Sequence, residues 1–221
     1  MLKIAVFDSG YGGEIFADRL EQELPVVEVI RVIDWRHAED IQSSPRYARK
    51  CAELALRSYI GKVDLIIFAN HLLSITSLKY FKRKYKNQHF LGLELELPCS
   101  FTQKDILILA TKALTRTLAY RQFLSQLRPS RVKTLVPESW PLKIDDGELK
   151  PAEVLEVFQR TVLKNNFHPA EIVIACSQFN DITPTIQQIL GRSVKFCDGT
   201  REVFSDIYKI LRIRGRGKKR Y

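Results

Sequence analysis

Short apolar runs, each followed by a longer amphipathic stretch, recur along the whole chain, and this alternation is the strongest constraint on its fold. Eight runs read as strands: LKIAVF, VVEVIRVI, VDLIIFA, HFLGLEL, DILILA, RVKTLV, EIVIAC and SVKFC. Strands alternating with helix-length segments predict βαβ units and a mostly parallel sheet. SSPRYARKCAELALRSYIG predicts a helix that starts with the serines before Pro45 and stops at Gly61. TRTLAYRQFLSQL and PAEVLEVFQRTVLKNN predict two more, the second with Pro151 in its first turn. PESWPLKIDDGELK, with Asp145, Asp146 and Gly147, reads as a loop.

The chain also echoes itself. DLIIFAN (64–70) and EIVIACS (171–177) are each an acid, an apolar strand, then small residues before the next helix. Aligned on their strands, Ala69 falls opposite Cys176 and Asn70 opposite Ser177, and IAVFDSG has a counterpart in ILILATK. The expected fold class is therefore α/β: two pseudo-symmetric parallel-sheet halves with a cleft between them. Ligands of open α/β sheets bind beyond the carboxyl ends of the strands, and Asp8, Ser9, Asn70, Thr111 and Cys176 all sit at such ends.

Composition narrows the function classes. No apolar run approaches the roughly 20 residues that span a bilayer, and MLKIAVFDSGYGG lacks the pattern of a signal peptide. Cys51, Cys99, Cys176 and Cys197 show no CxxC spacing, and the four His residues form no ligand cluster with them. The expectation is a reduced, cytoplasmic protein with neither a zinc site nor a disulfide framework. Of the net charge of +10, six positive charges lie in the last ten residues, RIRGRGKKRY, and KYFKRKYK forms a second basic cluster. Both read as solvated surface. The sharper alternative is weak, nonspecific contact with a polyanion or an anionic membrane.

Taken singly, the strand-end residues support two readings. FDSGYGG can be a tight βα turn, with glycines supplying positive φ and Asp8 or Ser9 capping the next helix. It can equally place a carboxylate to orient a reacting group beside glycine amides that bind an anion. Cys176 can be a small buried hydrophobe, or a thiol whose thiolate a helix N-terminus favours. Cys51 reads as core, and the side-chain direction of Cys197 is not legible. His71, beside Asn70, reads as a satisfied polar residue at a helix start or as an acid/base group.

In order, FDSGYGG, the AN after VDLIIF, DILILATKALTRTLAY, the CS after EIVIA and the closing KFCDG resemble the glutamate racemase signatures FDSGxGG, ACNT, IGTxxTxxSxxY, GCTH and LIDS. The resemblance, to the aspartate/glutamate racemase superfamily, covers residues 3 to about 205. It implies a cofactor-independent enzyme in which each half supplies one cysteine, because inversion needs proton removal on one face and delivery on the other. It further implies Asp8 as an acidic helper, Ser9 and Asn70 as substrate-binding residues, Cys176 as the second catalytic cysteine and Ser177 as the neighbouring hydroxyl. The departures are specific. Ala69 stands where the resemblance calls for the first cysteine, His71 where it calls for Thr, and Gln178 where it calls for the His that assists the second cysteine. Glu39, Asp40 and Ile41 fall on a Pro-Tyr-Gly segment that holds substrate, and Leu114 replaces a polar Thr.

Three functions follow from these residues. The first is single-thiol, cofactor-independent proton transfer by Cys176 with Asp8, on a small carboxylate or amino acid. Here Ser9, Asn70, His71, Thr111, Ser177 and Gln178 bind the ligand. The second is a degenerate homologue that binds a ligand or protein partner without turnover, and the third a racemase with His71 as the replacement base. The family organisation implies residues 1–96 plus about 199–213 as the first domain and 97–198 as the second, with 214–221 as a flexible basic tail. It is compatible with a homodimer.

Overall fold

The computed structural model describes residues 1–95, 97, 105–127, 131–191 and 193–217. Among the described residues eight strands form, at the eight positions where the sequence predicts them: β1 (Leu2–Asp8), β2 (Val27–Ile33), β3 (Leu65–Phe68), β4 (His89–Gly92), β5 (Asp105–Ala110), β6 (Arg131–Leu135), β7 (Pro169–Ala175) and β8 (Lys195–Cys197). They divide into two four-stranded sheets, ordered β2-β1-β3-β4 and β6-β5-β7-β8, with every pair parallel. The shared order makes β3 the counterpart of β7, so Ala69 and Cys176 follow matched strands. The echo in the sequence is an equivalence in the fold.

Helices cover the sheets: α1 (Tyr11–Glu23), α2 (Ala38–Ser43), α3 (Pro45–Leu56), α4 (His71–Lys84), α5 (Lys112–Thr115), α6 (Leu118–Gln126), α7 (Trp140–Asp145), α8 (Pro151–Val157), α9 (Thr183–Leu190) and α10 (Thr200–Gly217). Strand alternation sorts the first core: Leu2, Ile4 and Val6 pack on one face of the sheet, Ala5 and Phe7 on the other. Both faces are buried, which is why these strands read as nearly continuous apolar runs. Helix α3 buries Ala48, Cys51, Ala52 and Leu56, one stripe at helical spacing. Val203, Phe204 and Ile207 of α10 join the core of the first sheet. In the other direction, Leu72 of α4 packs with Ile106, Ile108 and Val173 of the second sheet.

The structure corrects several local expectations. The helix from Pro45 ends at Leu56, and Gly61 lies in the following turn with φ +77°. Helix α8 passes at Phe158 into a π-helical turn and then a 3-10 turn. The segment expected as a loop contains α7, because Pro141 suits a first helical turn and Trp140, Pro141 and Ile144 bury one face. Helix α10 continues through Gly217, so residues 214–217 of the expected flexible tail have helical backbone, and 218–221 lie outside the described residues. In the second basic cluster, Lys79, Lys82, Arg83, Lys84 and Lys86 are exposed. Lys82, Arg83 and Lys84 occupy the last turn of α4, where cations complement the helix dipole.

The glycines of FDSGYGG do not take positive φ, and neither Asp8 nor Ser9 caps α1 with its side chain. Gly10 is the N-cap of α1 with extended backbone (φ −161°), and no side chain caps the helix. Gly10 and Gly12 instead allow close approach between the halves. A Cβ on Gly12 would lie 2.4 Å from the side chain of Ser177 and 2.5 Å from its carbonyl carbon, and one on Gly10 would lie 2.7 Å from both Asp145 and Gln178. Gly12→Ala should therefore destabilise the protein by about 1–3 kcal/mol in urea unfolding. An unchanged unfolding midpoint would contradict this contact.

Candidate active site

The site grows from strand ends that point at one another. Asp8 closes β1, Asn70 and His71 follow β3, Thr111 follows β5, and Cys176 to Gln178 follow β7. Asp8 is fully buried and accepts three hydrogen bonds: from the Ser9 backbone N–H at 2.7 Å, Asn70 Nδ2 at 3.0 Å and Ser177 Oγ at 2.7 Å. The last bond joins the two halves, and with it Asp8 comes within one residue of Cys176. Asp145 makes a second bridge, accepting from the Tyr11 backbone N–H at 2.8 Å and from Gln178 Nε2 at 3.3 Å.

Six of the eight residues predicted from sequence (Asn70, His71, Thr111, Cys176, Ser177 and Gln178) line one pocket. Its free volume is about 10 Å³, room for about one water molecule. Asp8 and Ser9 flank it. Several of these residues already hold structure: Asn70 Oδ1 caps α4 by accepting from the Leu73 N–H at 2.9 Å, and Thr111 Oγ1 caps α5 at 3.4 Å. Two buried polar atoms nearby, Ser9 Oγ and His71 Nδ1, have no hydrogen-bond partner among the described residues.

Electrostatics overturn the expectation of a favoured thiolate at Cys176. Burial pushes the thiol well above its usual range, and the Asp8 charge pushes it further; the backbone N–H groups of Gln178 and Phe179 oppose this without prevailing. The thiol donates to Gln178 Oε1 at 2.9 Å. Burial likewise raises Asp8 to about 6, although its bonds from Ser177, Asn70 and Ser9 pull the other way. His71 is lowered to about 4, again by burial, while Asp198 favours its charged form.

Sequence reasoning missed Asp145, whose Asp-Asp-Gly context reads as a turn. Its only signal is the helical spacing of Trp140 and Ile144 just before it. Glu39 and Asp40, flagged in the sequence, line a separate cavity of about 530 Å³ with Trp35, Arg36, Asp145 and Asp146. One cluster departs from the expected separation of His and Cys: ligand atoms of Asp34, His37 and Cys51 lie within 4.8 Å of one another. Its imidazole Nδ1 already contacts Asp34 at 2.9 Å.

No protein-family model matches the chain. Glutamate racemase of Sulfurovum sp. (strain NBC37-1) is 23% identical over 205 residues, 87% of this chain and 76% of that protein. This chain is a homologue of the glutamate racemases, within the aspartate/glutamate racemase superfamily. The fold agrees. Escherichia coli glutamate racemase, in complex with L-glutamate and the activator UDP-MurNAc-ala, superposes with a TM-score of 0.78 at 16% identity, over 92% of this chain and 81% of that one. The Francisella tularensis enzyme, in complex with D-glutamate, gives 0.74 at 20% identity, over 95% and 82%. Among the described residues, no helix is long and apolar enough to cross a membrane.

Two expectations follow from the burial of this site. Iodoacetamide should label Cys176 at least about tenfold more slowly in the native chain than in the unfolded one; comparable rates, read by peptide mass spectrometry, would place the thiol in solvent. The second concerns pH. Asp8 has a folded-state pKa of about 6 against an ordinary 3.8, so its contribution to stability falls as pH rises through that window. His71, at about 4 against 6.5, loses its contribution as pH falls through its own window. The two oppose each other. In Asp8→Asn, the urea midpoint should therefore drop more steeply than in wild type between pH 6.5 and 4, and a flatter profile would contradict the burial of this pair.

Proposed function

We propose that the cleft binds a small carboxylate or amino acid and that Cys176 is its one reacting thiol, transferring a proton at a carbon atom without a cofactor. The observation that carries this reading is the seating of Cys176 in a buried pocket shared with Asn70 and His71 of the opposite half. The homologues named glutamate racemase support it, as do the structural neighbours in complex with L- and D-glutamate. Ala69, at the position matched to Cys176, carries no ionisable group, so the first half supplies no thiol there. A thiol held protonated suits the donor role: it delivers a proton to a carbanion formed when the ligand loses a proton or CO2 elsewhere. Glu39, Asp40, Asp145 and Asp146 set four carboxylates against Arg36 around the neighbouring cavity. That field disfavours a ligand with a second carboxylate, so glutamate itself is a poor candidate.

A binding protein without turnover is the second reading, favoured by the pocket's volume of about 10 Å³, which admits no amino acid until the halves separate. Proton NMR in D2O separates the two. Under single-thiol chemistry, the full chain should exchange the α-proton of amino acids that lack a side-chain acid faster than that of D- or L-glutamate or L-aspartate. Cys176→Ala should slow the exchange of at least one enantiomer. Ligand binding by calorimetry with no exchange would leave the binding reading standing, and equal exchange in Cys176→Ala would remove Cys176 from the chemistry.

A further inference from the structure

We propose that His71 is the second proton-transfer group of this site, working from the first half against Cys176 of the second. The inference rests on the proposed proton-transfer reading and adds the base that the missing thiol leaves open. It begins with a tautomer. His71 Nε2 lies 3.2 Å from the backbone carbonyl oxygen of Asp198. A carbonyl only accepts, so Nε2 carries the hydrogen and Nδ1 is left as a bare lone pair. That Nδ1 is buried and has no partner among the described residues, on a residue only 2% exposed. Buried acceptors are rarely left empty, and an orphan in a homologue of enzymes marks a place where a ligand group belongs.

The position of His71 supplies the rest. Its residue and Cys176 line the same pocket, one at the start of α4 after β3, the other after β7. The two strands belong to separate sheets and matched places in them. The groups therefore approach the pocket from opposite halves, as a reaction on two faces of one carbon requires. Burial holds the two in complementary states at neutral pH, the imidazole without its second proton and the thiol with its own. Environments that push a pair apart in this way assign one as base and the other as acid.

The step balances without a co-reactant. The ligand's Cα–H bond breaks, its proton moves to Nδ1, and the electron pair stays on carbon. That pair takes the proton of Cys176 on the opposite face, and the electrons of the S–H bond remain on sulfur. The site ends as imidazolium and thiolate around an inverted ligand. The opposite enantiomer runs the same step backwards, and exchange with solvent resets the pair after release. The Asp198 carbonyl is a positioning group, since it fixes which nitrogen carries the hydrogen.

The test follows inversion and α-proton exchange together, in D2O, for both enantiomers of alanine, serine and lysine. Wild type should invert at least one of them. His71→Asn and His71→Gln should each lose inversion by at least about a hundredfold, while Cys176 keeps its slow native labelling by iodoacetamide. Inversion preserved in both variants would overturn the role of His71 and leave the Cys176 chemistry intact. Absence of exchange in wild type with every amino acid would overturn the proton-transfer reading, and the inference with it. A readout independent of turnover is the 15N spectrum of the His71 ring. A neutral ring protonated at Nε2 at pH 7 supports the assignment; a ring protonated at Nδ1 overturns it.

Discussion

A single buried carboxylate, Asp8, holds the geometry on which everything else depends. It lies at the end of β1 with no solvent exposure and gathers its own neighbour's N–H, Asn70 from β3 and Ser177 from the other half. Without the Ser177 bond the two halves would keep an apolar seam around Leu72 and the Tyr11–Asp145 bridge, but lose the polar contact nearest the pocket. With it, the strand ends of both halves converge on one small pocket. Gly12 permits the bond by leaving the space that Ser177 fills, and Gly10 does the same for Asp145 and Gln178. The FDSGYGG segment is thus an acid and the glycines that let a second half reach it.

The same closure sets the chemistry. Removing water from Asp8, His71 and Cys176 favours the neutral form of each, because burial penalises charge whatever its sign. For the two acids this raises the pKa, Asp8 to about 6 and Cys176 well above its usual range, and for the imidazole it lowers it. A cleft built from acids, an imidazole and a thiol therefore acquires a division of labour from burial alone. The hydrogen bonds then choose among atoms: Asp198 selects Nε2 of His71, and Gln178 receives the proton of Cys176.

Much of this was legible in the sequence, for identifiable reasons. All eight strands were, because both faces of each sheet are covered and a doubly buried parallel strand leaves a short apolar run in the sequence. The pairing of Ala69 with Cys176 was legible because it needs only two matched strands. Six pocket-lining residues were found because strand ends are where parallel sheets present side chains to ligands. Other features were not, since they depend on the partner half. The purpose of Gly10 and Gly12 lies across the seam, in residues more than 130 positions away. Asp145 hid in a turn-like DDG. The direction of the Cys176 shift was misjudged because the strand-end position was legible and the depth of burial was not.

The most direct check on this account is the titration of the Asp8 carboxyl by 13C NMR, in wild type and in Ser177→Ala. A carboxyl buried at a closed seam should titrate near 6. Its midpoint should move higher in Ser177→Ala, because the lost hydrogen bond favours the charged form. A midpoint near the ordinary 3.8, unmoved by Ser177→Ala, would mean that water reaches Asp8 and that the two halves do not meet there.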